Sequence, residues 1–507
     1  MAMMTSNPAA AASVACAALP QDTDSVQPLG GPTVAVPSNN AVWRMCDPIT
    51  RGPAAAGGTL FIESVAVRAD PSNSNQTLLQ LVVFHEGRQV AVKARYHAVQ
   101  TGEGDGVTYG LVGVRNAVIP CSATRPRLPD ATILTCAVSG GAAEDGDLRI
   151  PAARPGAPPW ELRLRWNYAA GGRAYDARIR MCAAAVPSMY ACATDRAAAP
   201  RRVPRLGVCV SSLSNKHGTL APKLVVDFIE YYRLLGVHHV AIHMRPDAAA
   251  SVGAALTAAY AADAPHFIFE AIPSGYVTAD PANLDTWAYY DQAATLNSCV
   301  GHMRGQVDWL GLFDIDEWLV DGDGAVAVPL ATTLTRWGCG GGGANRVHST
   351  ACPKAPLPSA QVPKPGRLSC LYVNRDDVAA PFAPGGAYPR GATALQYFKR
   401  AATAAPSTKF PKLWCDPDAV AATWVHQATG VPGAAPVQVP TESATFRHFT
   451  SYFSARAETG TFPRATDAAF ARRMADASAA RLAHPACVAA TSTATAAMAA
   501  AGVRHWQ

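Results

Sequence analysis

The sequence predicts two domains of different class, an antiparallel β-sandwich followed by an α/β domain. The chain has 507 residues, which is too many for one ordinary hydrophobic core. Short apolar runs broken by Gly, Pro and Asn occupy residues 56–192, with the spacing of a sandwich. From residue 205 onward, strand-like and helix-like apolar periods alternate, which is typical of βαβ units and a mostly parallel sheet.

The composition of the chain argues against nucleic acid and membranes as binding partners. Hydrophobic residues make up 49% of the chain and charged residues 16%, and the net charge is only +6. No Lys/Arg block resembles a nucleic-acid-binding arm, so no nucleic-acid partner is expected. No apolar run reaches the ~18–20 residues that cross a bilayer. The run Pro8–Leu19 is short and Ala-rich, so membrane association is expected only through a weak or missing N-terminal anchor. The sequence leaves the oligomeric state open.

The N-terminal segment and the cysteines indicate the compartment. Residues 1–55 are rich in Ala, Pro, Ser and Asn without periodicity, which predicts a disordered or targeting segment. The chain has 13 cysteines, an odd number, so at least one has no partner within the chain. Asn75-Gln76-Thr77 is an N-glycosylation sequon, which we place in a polar loop. Together these features favour a glycoprotein of the secretory pathway.

The sandwich is predicted from six strand-like runs between residues 56 and 192. In the last run Leu162, Leu164 and Trp166 face one way and polar residues the other, as in a half-buried sheet. The runs are Thr59–Ala69, Thr77–Gly87, Gln89–Val99, Gly106–Val114, Ala131–Val138 and Trp160–Ala170. The basic segment 193–204 is predicted to be a linker.

The α/β domain is predicted from the order of its elements. The run Ala221–Gly236 has a helical apolar stripe, with Pro222 suited to its first turn and Gly236 to its C-terminal cap. The other predicted elements are strands Leu206–Val210, His238–Met244 and His266–Ile272, and helix Asn283–Gly305. Residues 465–507 are Ala-rich and predict a C-terminal helix and tail.

The stretch VDWLGLFDIDEWLV, Val307–Val320, places acidic residues at the end of an apolar run. Its first half predicts a central strand that is buried on both faces. If the chain stays extended, Asp314 and Asp316 project to the same side. Two crowded carboxylates are costly unless a cation lies between them, and Mg²⁺ and Mn²⁺ take oxygen ligands. The alternative is that these acids cap a following helix.

Two longer segments resemble the family 92 glycosyltransferases, which include plant β-1,4-galactan synthases. They are APKLVVDFIEYYRLLGVHHVAIHMRPD, residues 221–247, and YYDQAATLNSCVGHMRGQVDWLGLFDIDEWL, residues 289–319. KLWCDPDAVAATWVH, from Lys412 to His426, and FRHFTSYF, from Phe446 to Phe453, are similar to later segments of that family. The resemblance covers about half of the chain, from residue 205 to 460.

The resemblance implies a Rossmann-like α/β GT-A catalytic domain over residues 205–464, preceded by the sandwich as a candidate carbohydrate-binding domain. It implies a Mn²⁺ or Mg²⁺ cofactor, a UDP-sugar donor that is commonly UDP-galactose, and a glycan or polysaccharide acceptor. The expected reaction is inverting hexosyl transfer in polysaccharide biosynthesis, located in the Golgi lumen.

The resemblance also implies roles for particular residues. Asp316 would bind the metal, and Asp314 would contact the metal or the ribose. His426 is the first candidate for a third metal ligand and His448 the second. Lys412 would neutralise a phosphate of the donor.

Each role has a structural alternative. Asp376 and Asp377 are general-base candidates that follow a strand-like run, although Asp is also common in turns. A lone His is more often a hydrogen-bonded structural residue, and a Lys is usually a solvated surface group. Trp318, Trp414 and Trp424 could stack on a sugar, but core packing is the commoner role.

Two other functions fit the same residues. The chain could be an inactive, transferase-like carbohydrate-binding protein. It could also be a metal-dependent nucleotide phosphohydrolase, although no G-x-x-x-x-G-K-[ST] phosphate loop is present.

Overall fold

In the computed structural model, the described residues fall between 41 and 500. Shorter gaps apart, the undescribed segments are residues 1–40, 86–106, 140–149, 186–204, 275–289, 335–366, 379–406, 450–467 and 501–507.

Nine antiparallel strands of the first half form one sheet. They are β1 (Ala41–Met45), β2 (Thr50–Ala55), β3 (Gly58–Asp70), β4 (Asn73–His85), β5 (Val107–Val112), β6 (Val118–Thr124), β7 (Ala131–Ser139), β8 (Trp160–Tyr168) and β9 (Ala174–Ala185). Their order is β1-β9-β8-β5-β6-β7-β4-β3-β2. Strand β2 contacts β9 and strand β1 contacts β3, so the sheet curls until its two edges approach each other.

This sheet is barrel-like, and the predicted sandwich of two facing sheets is therefore wrong. Alternating side chains such as Leu162, Leu164 and Trp166 point into one shared interior, as their period of two predicts. Curling brings strands from both ends of the sheet around that interior, which buries it without a second sheet. Disulfides Cys46–Cys182 and Cys121–Cys136 link neighbouring strands of the sheet.

The second half contains a mixed sheet and a few helices. Its strands are β10 (Leu206–Leu213), β11 (His239–Met244), β12 (Ile268–Pro273), β13 (Trp309–Leu312), β14 (Glu317–Asp321), β15 (Arg367–Val378), β16 (Ser407–Cys415), β17 (Val420–Trp424), β18 (Gln427–Gly430), β19 (Ala434–Gln438) and β20 (Ala444–Phe449). The principal helices are α1 (Pro222–Leu234), α2 (Ala254–Tyr260), α3 (Tyr290–Met303), α4 (Ala468–Leu482) and α5 (Pro485–Ala500).

The order of the mixed sheet is β12-β11-β10-β13-β16-β15-β20-β14, with β19 on β15. The pairs β12-β11, β11-β10 and β10-β13 are parallel. From β13 onward the sheet changes character, because β16 pairs antiparallel with both β13 and β15, and β14 pairs antiparallel with β20. The β17-β18 pair is separate.

The predicted Rossmann-like α/β GT-A domain is therefore wrong. The described chain is mostly β, with a barrel-like sheet and a curled mixed sheet, and its helices are few. The local step from β10 through α1 to β11 is parallel, as the alternating periods indicate. The alternating periods do not show which strand pairs with the other edge of β13. That strand is β16, about 100 residues further along the chain.

Helices cover both faces of the parallel strands. Helix α1 ends as predicted, with Gly236 at φ +90° after its last turn, and its Phe228 and Tyr232 pack in one core with Val208 of β10. Helix α3 covers the opposite face, where Leu296 and Val300 pack on Cys209, Ala241 and their neighbours. A disulfide from Cys209 to Cys299 joins β10 to α3.

Helix α3 also contacts the first sheet. Ala293 and Ala294 pack with Phe61, Val82 and Ala131. The buried Arg304, just after α3, donates to Gln80 Oε1 of β4 and to the carbonyl oxygens of Pro417, at 3.0 Å, and Val420, at 2.7 Å. Gln80 in turn donates from Nε2 to the carbonyl oxygen of Ala421 at 2.7 Å. These contacts hold the barrel-like sheet against helix α3.

Several local expectations have direct outcomes. The sequon residue Asn75 lies in strand β4 rather than in a loop. Strands β1 and β2 lie within residues 1–55, where no strand was predicted. The described part of residues 465–507, from 468 to 500, contains two helices where one was predicted. The run Gln89–Val99 and the linker 193–204 lie outside the described residues. No helix in the described part of the chain combines the length and the apolar character that a bilayer crossing requires.

Candidate functional site

The acidic stretch forms a tight turn between strands β13 and β14. The Glu317 amide donates to the Asp314 carbonyl oxygen at 3.1 Å, and the Asp314 amide donates to Glu317 Oε2 at 2.9 Å. Ile315 and Asp316 occupy the two central positions of this turn, and Asp316 is 8% exposed. The alternation of an extended strand therefore does not set the directions of the Asp314 and Asp316 side chains.

Helix α1 fixes the strand that follows the turn. The buried Tyr232 hydroxyl donates to the Glu317 carbonyl oxygen at 2.9 Å and accepts from the Leu319 amide at 3.2 Å. The Tyr231 hydroxyl donates to the Leu319 carbonyl oxygen. Burial raises the pKa of Tyr232 well above its usual value, so this hydroxyl keeps its proton and remains a donor. Tyr231 and Tyr232, which belong to the apolar stripe of α1, thus fix the backbone that follows the turn.

Asp314 is held by neighbours on two other strands. Ser211 of β10 donates to its Oδ1 at 3.0 Å, and Lys412 of β16 donates to its Oδ2 at 2.8 Å. Gln292, in the first turn of α3, donates to Ser211 Oγ at 3.3 Å. The Asp314 side chain is still 28% exposed. Ser211 and Lys412 therefore each hold one oxygen of this carboxylate, while part of the side chain remains accessible to solvent.

Lys412 is a buried cation between two carboxylates. Its side chain is 0% exposed, and Nζ lies 2.8 Å from Asp314 Oδ2 and 3.0 Å from Glu317 Oε2. Burial alone would lower the pKa of Lys412, but the two carboxylates outweigh it and hold the pKa above its usual value. Lys412 is therefore charged, and it is a core ion-pair partner rather than a solvated surface group.

Glu317 completes the charged cluster, which we call the Lys412 cluster and define as Asp314, Glu317, Arg375 and Lys412. The Glu317 side chain is 0% exposed, and its Oε1 lies 3.7 Å from Arg375 Nη1 of β15. Sequence reasoning missed Glu317 as a site residue, and it missed Arg375 and Ser211. The acidic residue in FDIDEW was a usable signal for Glu317, whereas nothing local to Ser211 or Arg375 marks them.

His426 lies beside this cluster in its neutral form. Its Nδ1 is 3.1 Å from the Pro411 carbonyl oxygen, which can only accept, so Nδ1 carries the proton and Nε2 keeps a lone pair. Burial lowers the pKa of His426 to about 3, helped by the charge of Lys412. A neutral imidazole with a free Nε2 lone pair is the form that a metal ion requires.

The third-ligand hypothesis needs movement of side chains. Among the described residues, Asp314, Asp316 and His426 do not bring three ligand atoms within 4.8 Å of one another. The described residues that do meet that distance are His239, Glu270 and His302, which lie away from the turn. As they are placed, Asp314, Asp316 and His426 therefore do not form a three-ligand metal site.

The remaining candidates are placed by strand register. His448 of β20 is aligned with Glu317 of β14 on one side and with Asp377 of β15 on the other, and Asp376 is aligned with Arg447. His448, Asp376 and Asp377 thus lie on strands that adjoin the Lys412 cluster. Of the tryptophans, Trp318 and Trp414 are fully buried in the core, as the commoner role predicts, and Trp424 is half-buried.

The chain matches no protein-family model and no curated protein. The resemblance to family 92 therefore stays a prediction that depends on the quoted segments.

Replacing Lys412 tests the energetics of the cluster. We expect Lys412→Met to lower the free energy of unfolding by about 3–5 kcal/mol, because it leaves the buried Glu317 and the half-buried Asp314 without their shared cation. Denaturant unfolding followed by fluorescence measures the change. Arg178→Met is the matched control, since its pair with Glu161 is 3.7 Å long and largely exposed, and it should change little. Equal effects of the two substitutions would contradict the assignment.

His426 gives a prediction for pH. Its folded-state pKa of about 3 lies below the unfolded value, so the unfolded chain takes up a proton first as the pH falls. Stability from His426 is therefore complete above about pH 6.5 and declines toward pH 3. We expect His426→Gln to lose less stability than the wild type between pH 7 and pH 4, by on the order of 1–3 kcal/mol. Denaturant unfolding of both proteins at the two pH values measures this difference. Equal losses of stability in the wild type and in His426→Gln would contradict a buried, neutral imidazole.

Proposed function

We propose that this chain is a metal-dependent glycosyltransferase that moves a hexose from a nucleotide sugar to a carbohydrate acceptor. UDP-galactose is the first donor to test, and Mn²⁺ or Mg²⁺ is the proposed cation. The proposal depends on one arrangement: Asp314 is fixed by Ser211 and Lys412, yet part of its carboxylate faces solvent. It does not depend on a GT-A fold.

The residues of the turn fit a hard cation. Asp314 presents a fixed, partly exposed carboxylate, Asp316 is two residues away in the same turn, and carboxylate oxygens are ligands that suit Mg²⁺ and Mn²⁺. The formal charges of Asp314, Asp316 and Glu317 against those of Lys412 and Arg375 leave one net negative charge, which favours a cation. A divalent ion held there would supply Lewis-acid stabilisation of a diphosphate leaving group.

The chain's own residues have separate tasks in this proposal. Ser211 and Lys412 orient the Asp314 carboxylate, and Tyr232 holds the backbone of the turn. Asp377, aligned with His448 next to the cluster, is the proposed base, with Asp376 as the other candidate. The base takes the proton of the acceptor hydroxyl as its oxygen attacks the anomeric carbon from the face opposite the leaving diphosphate. The result is inversion at that carbon.

An exposed aromatic ring beside the cluster supports a carbohydrate ligand. Phe410 of β16 is 44% exposed, and its ring centre lies 5.1 Å from that of His426. The Arg375 guanidinium carbon lies 5.4 Å from the same ring centre and covers one face, so a sugar would use the remaining exposed surface. Aromatic surfaces at the edge of a polar site are a common way to bind the apolar face of a sugar.

The disulfides support the proposed compartment. Four are present in the described residues: Cys46–Cys182, Cys121–Cys136, Cys209–Cys299 and Cys370–Cys415. Disulfides persist in oxidising compartments and are rare in the cytosol. We therefore keep the secretory pathway, and within it the Golgi lumen, as the proposed location.

The decisive experiment measures both transfer and donor hydrolysis. The purified chain is incubated with a panel of UDP- and GDP-sugars and Mn²⁺, with and without oligosaccharide acceptors. We expect one donor to give acceptor-dependent release of the nucleoside diphosphate, and Asp316→Asn to reduce that release at least 100-fold without unfolding the protein. Asp476→Asn, an exposed carboxylate on α4, is the control and should retain activity.

The same assay separates the competing functions. Phosphate release without any sugar transfer would indicate a phosphohydrolase. Oligosaccharide binding without turnover would indicate an inactive carbohydrate-binding protein. Full activity of Asp316→Asn would remove the turn from the mechanism.

Phe410→Ala tests the sugar-binding surface. We expect it to raise the KM for the acceptor severalfold while kcat and the melting temperature change little, because the ring is half-exposed and lies outside the proposed chemistry. Steady-state kinetics with the best acceptor measures the effect. The control is Val118→Ala, which removes a similarly exposed side chain from the first sheet. An unchanged KM would show that Phe410 does not contact the acceptor.

A further inference from the structure

A second group of metal-ligating side chains lies at the opposite end of helix α3. His239 begins strand β11, Glu270 is in strand β12, and His302 is in the last turn of α3. Their ligand atoms all lie within 4.8 Å of one another. Glu270 Oε2 is 3.1 Å from His239 Nε2 and 2.5 Å from His302 Nε2, so both imidazoles point at the same carboxylate oxygen.

The backbone around these three residues sets their convergence. Glu270 is aligned with Ala241 on the neighbouring parallel strand, and His239, two residues before Ala241, therefore projects from the same face. Helix α3 covers that face. The disulfide from Cys209 to Cys299 attaches α3 to β10, and His302 follows Cys299 by three residues on the same side of the helix. The three ligands are thus fixed by three separate elements.

We propose that His239, Glu270 and His302 bind one divalent transition-metal ion, with Zn²⁺ as the best match. Two imidazoles and one carboxylate are a ligand set that Zn²⁺ takes, with the fourth position left to water. His239 is 0% exposed, whereas His302 is 16% and Glu270 27% exposed, so an ion can enter from one side.

The distances fit an ion after small side-chain rotations. Ligand atoms at 2.0–2.2 Å around a tetrahedral ion lie about 3.4 Å apart. The two contacts to Glu270, at 3.1 Å and 2.5 Å, would each open by less than about 1 Å to reach that spacing. The positive charge of the Arg44 guanidinium interacts with His302 and would oppose a cation at this position. A neutral imidazole nitrogen is nevertheless a ligand that suits Zn²⁺.

The proposed ion would brace the candidate site from a distance. Helix α3 carries His302 at its end and Gln292 in its first turn, and the ten residues between them span about 15 Å. Gln292 donates to Ser211, and Ser211 donates to Asp314. The ion therefore fixes the helix at one end while the other end contacts the turn. Its binding does not require the proposed transferase activity.

The test is zinc binding by the full chain after removal of metal with a chelator. We expect isothermal titration with Zn²⁺ to show one tight equivalent per chain that Asp316→Asn leaves unchanged, which separates this site from the turn. Glu270→Gln and His302→Gln change partly exposed ligands, and each should weaken binding more than tenfold with an unchanged circular-dichroism spectrum. Zn²⁺ should also raise the melting temperature of the wild type more than that of either variant.

Three outcomes would overturn the proposal. The first is a wild-type chain with no equivalent tighter than about 10 µM. The second is Zn²⁺ affinity that Glu270→Gln and His302→Gln leave unchanged. If both variants fail to fold, Co²⁺ added to the wild type decides, because a tetrahedral nitrogen and oxygen site gives strong visible d–d bands without thiolate charge transfer. Absence of those bands, or a thiolate band, would contradict the assignment.

Discussion

The buried ammonium of Lys412 is the constraint on which the centre of the mixed sheet depends. A charge without solvent is costly unless carboxylates and hydrogen bonds replace the lost water, and here Asp314 and Glu317 do so at 2.8 and 3.0 Å. These contacts connect β16 to the turn after β13 and to the start of β14. Ser211 adds β10 and Arg375 adds β15 to the same group. One cation thus ties together strands that lie far apart in the chain.

The two carboxylates on Lys412 have different surroundings, and this difference shapes the candidate site. Glu317 is wholly buried, so its charge interacts only with groups inside the protein. Asp314 is 28% exposed, so its carboxylate is also accessible to a ligand. Beside them His426 is kept neutral by burial, and Phe410 presents part of an aromatic ring to solvent. In the proposed transferase, the partly exposed Asp314 contacts the ligand, while the buried Glu317 has a structural role. This arrangement explains why a chain would place so much negative charge at the end of an apolar strand.

Prediction from the sequence succeeded for elements whose signal is local. The helical stripe and terminal Gly236 located α1 to within a few residues, and the apolar run before Asp314 located a strand with four buried residues. It failed for the fold class. Sandwich and barrel-like sheets share the same alternation, and a parallel start does not reveal that β16 returns antiparallel beside β13. Both errors concern which strands pair across long separations, and that choice depends on loop closure and packing rather than on any local period.

The candidate site divides in the same way. The sequence by itself determined that acidic residues follow a buried strand, that Lys412 and His426 are close in the chain, and that cysteines are numerous, because each of these is a property of residue type and order. Only the tertiary structure decided that Asp314 and Asp316 lie in a turn, that Lys412 is buried against Glu317, and that His239, Glu270 and His302 converge. The physical reason is that contacts between side chains on different strands depend on sheet order and register, and these arise from the packing of the whole chain.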